Sequence, residues 1–112
     1  MAAGPERRRA KRIGMLRLSE STRARVRALF SPEDLGTAIR LLEEDCGANL
    51  PFCESATPES AERIRFAALK LSRGDLGELR SIVEHARIDW RDVLVWAGFG
   101  DDVEAHRRWW PR

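Results

Sequence analysis

The chain has 112 residues, 43% apolar and 34% charged, with a formal charge of +2. That length suits one domain burying about 65% of its unfolded surface, and the composition excludes a chain too polar to fold. The longest apolar run, Val93-Leu94-Val95-Trp96-Ala97, is too short to cross a bilayer.

The charge is unevenly placed. Residues 1–14 carry Arg7, Arg8, Arg9, Lys11 and Arg12 against Glu6, a net of +4, which leaves −2 for residues 15–112. The chain is therefore divided into a basic, disordered tail (1–14) and a helical domain (15–112). Nucleic acid is a conceivable partner through the tail alone, because a folded binder carries its basic stripe on the domain. The tail contains no apolar h-region, and two cysteines, Cys46 and Cys53, are too few for a secreted disulfide scaffold of this size. A cytoplasmic location with free thiols is expected. Eighteen of the 20 basic residues are Arg, which reads as coding bias before phosphate recognition.

Ser19 predicts an N-cap for a first helix ending near Leu29 or Phe30, with Leu18, Thr22, Val26, Leu29 and Phe30 as its apolar edge. Ser31-Pro32-Glu33-Asp34 then supplies a cap, a proline at the first helical position and acids for the positive end of the dipole. Leu35, Ala38, Ile39, Leu42 and Cys46 form one face of that second helix, which Gly47 stops. Residues 47–57 read as a long loop.

Thr57-Pro58-Glu59 opens a third helix, apolar over most of its circumference from Ala61 to Leu71 and therefore central. Gly74 ends it. Asp75 caps a helix with the face Leu76, Leu79, Ile82, Val83 and Ala86, and Asp89 caps a short one over Trp90–Ala97, closed by Gly98. Asp101 and Glu104 have capping-box spacing and predict a last helix to about Trp110, before Pro111. Gly36 and Gly77 lie inside helical stretches, where close approach of another helix would account for them. With no strand-like alternation, the expected fold is an all-α single compact bundle of five to six short helices.

The segments Arg63-Ile64-Arg65-Phe66-Ala67-Ala68-Leu69-Lys70-Leu71-Ser72-Arg73-Gly74-Asp75-Leu76 and Asp89-Trp90-Arg91-Asp92-Val93-Leu94-Val95-Trp96-Ala97-Gly98-Phe99 carry a pattern of their own. It resembles that of a group of small uncharacterised bacterial helical proteins, RIRFAALKLSxGD…DWRDLLVAAGF. The chain departs from it at Val93 and Trp96, where the pattern has Leu and Ala. The resemblance implies a bacterial, intracellular helical protein and no particular activity.

Chemistry is sparse. Asp89-Trp90-Arg91-Asp92 places two carboxylates and a guanidinium at a helix start, a combination that capping and a surface ion pair also explain. Cys46, Cys53, His85 and His106 lack the close spacing of a zinc site, and no acidic calcium loop occurs. Neither a metal nor another cofactor is expected. A thiol enzyme built on Cys53 and His85 would need an electropositive setting, and Glu54 adjoins the cysteine.

The C-terminal His106-Arg107-Arg108-Trp109-Trp110-Pro111-Arg112 is richer, because Trp and Arg dominate interface hot spots. The expected function is a non-catalytic protein–protein interaction or adaptor module with no catalytic residues. Its candidate contact residues are Trp109, Trp110, Arg107, Arg108, Asp89, Arg91 and Asp92. The partner would be another protein or a second copy as a homodimer, and the basic arm is the nucleic-acid alternative.

Overall fold

The computed structural model describes residues 17–46, 58–102 and 104–111. The basic tail, the loop 47–57 with Cys53, and the stop at Gly47 lie outside the described residues. Five helices account for most of what is described, and the described residues contain no strand.

Helix α1 (Glu20–Leu29) starts where Ser19 Oγ accepts the Thr22 N–H at 3.1 Å, and it ends where the Phe30 N–H reaches Val26 O at 2.9 Å. Helix α2 (Pro32–Asp45) begins at Ser31, which caps through its backbone. The Asp34 and Leu35 N–H groups reach Ser31 O at 2.9 and 3.1 Å, with Pro32 presetting the first turn. Helix α3 (Pro58–Ser72) ends in a turn with Arg73 and Gly74 both at positive φ, 54° and 81°.

Only glycine suits position 74. A Cβ there would lie 2.6 Å from Leu29 O, so the end of α1 sits directly on this turn. Gly36 has nothing within 4 Å of its missing Cβ, and Gly77 has only the Asp75 carboxylate at 3.1 Å. The expectation of close helix approach at those two positions is thus corrected. The backbone contact is at the turn.

Helix α4 (Leu76–Ala97) is held at its start by Asp75 Oδ1, which accepts the Glu78 N–H at 2.9 Å, and at its end by Gly98 at φ 82°. Asp89 within it is extended at φ −151°, ψ 93°, so two helical arms meet at a kink. The separate short helix expected after Asp89 is the second arm of an elbow. His85 and Trp96 show how sharp that elbow is. Eleven positions on a straight helix span about 16 Å along the axis, whereas the two ring centroids are 4.6 Å apart.

The last helix, α5, is Ala105–Arg108 only. The expected capping box at Asp101 does not form. Asp102 Oδ1 instead accepts the Glu104 N–H at 2.8 Å, and Glu104 is the residue before the helix. The chain becomes extended at Trp109, and Pro111 disfavours helical geometry at Trp110.

Helix α3 is central, as its all-round apolarity predicts. It packs on α1, α4 and α5, with Ile64, Phe66, Ala67, Ala68 and Leu69 buried, while α2 rests on α1 and α4. Leu42, Leu79, Val83, Val93 and Phe99 complete the core. Arg65 is the most enclosed arginine among the described residues. Its Nε donates to Leu42 O at 3.2 Å and Cys46 O at 3.0 Å, placing a cation on the negative end of α2.

Candidate interaction surface

Of the C-terminal tryptophans, Trp109 is partly buried, while Trp110 lies against Arg25 and stays half exposed. Trp109 sits with its ring 6.2 Å from Phe66. Its carbonyl accepts from Arg25 Nε at 3.0 Å, and Arg25 Nη2 reaches Arg107 O at 3.4 Å. The Arg25 guanidinium lies 4.3 Å from the Phe66 centroid and 4.8 Å from that of Trp110. Trp110 covers this cation and leaves 49% of its surface exposed. Arg107 pairs with Glu104 at 3.0 Å and Arg108 with Asp102 at 2.6 Å. The Arg108 bond is the main reason that the Asp102 carboxyl lies below the usual carboxylate range.

Asp89 and Arg91 serve the elbow. Asp89 Oδ1 accepts from the Arg91 backbone N–H at 3.1 Å and from Arg91 Nε at 3.3 Å. Burial raises the Asp89 pKa, but these bonds outweigh it and hold the carboxyl low. Trp90 is partly buried against the core, and Asp92 Oδ2 lies 3.3 Å from His85 Nε2. The sequence-derived site residues thus have two separate sets of neighbours. Trp109 and Trp110 rest against α1 and α3, whereas Asp89, Arg91 and Asp92 engage partners within α4.

Three exposed apolar side chains at the elbow escaped the sequence reading. Ile88, Val95 and Trp96 are 76%, 65% and 53% exposed, all within one nine-residue stretch. Trp96 tilts against His85, which also meets Asp92. It also walls a groove of about 510 Å3 whose rim carries Lys70 and Arg73 from the end of α3 and Asp75 and Glu78 from the start of α4. Lys70 is oriented by a 2.8 Å bond to Ala97 O and lies 5.0 Å from the Phe99 ring centroid. An aromatic wall with charges of both signs at its edge suits a polar-rimmed protein contact.

The groove was hard to find in sequence because Trp96 meets the Lys70–Glu78 segment only once α4 has bent. One signal was available. The run Val93–Ala97 is unbroken, and a short amphipathic arm cannot turn five consecutive residues inward. Here Val93, Leu94 and Ala97 are buried while Val95 and Trp96 face outward.

Among the described residues, no three His, Cys, Asp or Glu side chains converge as a metal would require. Cys46 is a buried free thiol that burial pushes up to about 12, which leaves it a small apolar side chain rather than a nucleophile. Arg7, Arg8, Arg9, Lys11 and Arg12 lie outside the described residues. Among the described residues, no helix is long and apolar enough to cross a membrane. Comparison with family models, curated proteins and solved structures finds no match to the chain.

Proposed function

We propose that the protein is a non-catalytic protein–protein interaction module whose contact surface is the α4 elbow: Ile88, Val95 and Trp96 with the neighbouring Asp89, Arg91 and Asp92. One observation carries the reading. A chain with a well-filled core leaves three large apolar side chains exposed in one short stretch, where folding alone would favour polar residues. The Trp109–Trp110 end is assigned a mainly structural part, because Arg25 and Phe66 hold it down.

A photo-crosslinking residue at position 95, expressed in the cells of origin, tests this directly. A discrete heavier adduct is expected, lost in Trp96→Ala and retained in Trp110→Ala. No adduct, or one indifferent to Trp96→Ala, would overturn the assignment of this surface.

A further inference from the structure

His106 is anomalous. It is 2% exposed, yet neither ring nitrogen meets a hydrogen-bond partner in the protein. Buried polar side chains are satisfied in the large majority of cases, and an unsatisfied one calls for an explanation. The imidazole sits edge-on to Phe66 at 5.3 Å between centroids and to Phe99 at 6.4 Å. It fills this aromatic cradle as an apolar ring would, and it is the buried member of α5.

The segment carrying it has few long-range fastenings. At its start it is tied to the adjacent Asp102 by the Glu104 and Ala105 N–H groups and by Arg108, and across the fold by the bonds from Arg25 to the Trp109 and Arg107 carbonyls, with Trp110 stacked on Arg25. Arg63 anchors the preceding stretch through the Phe99 and Gly100 carbonyls. Residues 104–111 therefore form a short flap whose long-range hydrogen bonds come from Arg25 and whose inner side seats His106, with Ala105 and Trp109 packed beside it.

We propose that this flap is an acid-released latch: a proton on His106 expels α5 from the Phe66–Phe99 cradle while the four longer helices stay folded. Burial without a hydrogen-bond partner favours this, and Arg107 on the flap and Arg63 on α3 add to it by opposing an imidazolium. The acids that could stabilise it are Glu62 and Glu104. Glu62 Oε1 is taken by the hydroxyls of Ser19 and Thr22, and Glu104 is paired with Arg107. Burial is the main reason that the seated imidazole titrates below the ordinary histidine value, with Glu62 opposing the shift.

The sign follows from linkage. Closed His106 stays neutral where the released ring would take a proton, so the closed form is fully favoured above about pH 6.5 and loses ground as pH falls below it. One proton is involved, so the released-to-closed ratio climbs at most about tenfold per pH unit until the seated ring itself titrates.

Amide exchange of the full chain, followed residue by residue between pH 7.5 and 5, tests the latch. The Arg107 and Trp109 N–H groups, bonded to Glu104 and His106 carbonyls, report on the flap, and Leu69 reports on the core. Protection at Arg107 and Trp109 is expected to fall with acid while Leu69 stays protected, and His106→Phe should abolish that pH dependence. His106→Gln provides a second non-titrating ring replacement if the phenylalanine does not fit. Flap protection that is constant with pH, that is lost only together with Leu69, or that falls equally in a folded non-titrating variant would overturn the proposal.

Discussion

Glycines and a few charged side chains carry the most local information. Gly74 combines positive φ with a carbonyl 2.6 Å from where a Cβ would stand, so Gly74→Ala should destabilise by about 2 kcal/mol or more in urea denaturation. Gly36, exposed and helical with open space around it, should behave oppositely, gaining about 0.5–1 kcal/mol as Ala. Equal effects at the two positions would show that the α1–turn contact does not exist. The two glycines look alike as letters, and only the neighbour at Leu29 separates them. Arg25 and Arg65 illustrate the same limit. Each stands in an apolar helix face, yet the carbonyls they satisfy come from residues 107, 109, 42 and 46, far away in the chain.

The cap residues placed the helix boundaries well. Ser19, Ser31, Asp75 and Gly98 each act where their chemistry predicts, because capping is a contact between near neighbours. Asp89 also breaks the helix as expected, and its side chain bonds the Arg91 N–H. Asp89→Ala should therefore lower the midpoint of urea unfolding. A neutral result would mean that packing of Trp90 and Val93, rather than the carboxylate, sets the elbow. Arg65→Met is expected to cost about 1–3 kcal/mol in thermal or chemical unfolding, since the α2 carbonyls would remain buried without their donor. The last helix is present but shorter than the expected span from Asp101 to about Trp110, with the Asp102 turn before it and the Arg25 bond to Trp109 O after it.

For the whole molecule, α3 is the member against which α1, α4 and α5 pack, and Leu69 towards its C-terminal end is fully buried. Leu69→Ala should lose about 2–5 kcal/mol through lost burial and the cavity left behind. A loss below about 1 kcal/mol would place α3 at the edge. Lys70 follows Leu69 yet faces outward to Ala97 O, so the same helix supplies the core on one side and the groove's basic rim on the other.

The number and nature of the helices, the central one among them and most of the core followed from residue order, because periodicity and caps are read over four residues or fewer. The proposed interaction surface did not. Which tryptophans stay free depends on where α4 bends and on what Arg25 reaches, and both are settled by residues remote in the chain. The sequence alone made Trp109 and Trp110 the natural anchors. Tertiary packing engaged that pair with the fold and turned Trp96 outward, because the elbow leaves Val93, Leu94 and Ala97 to fill the interior.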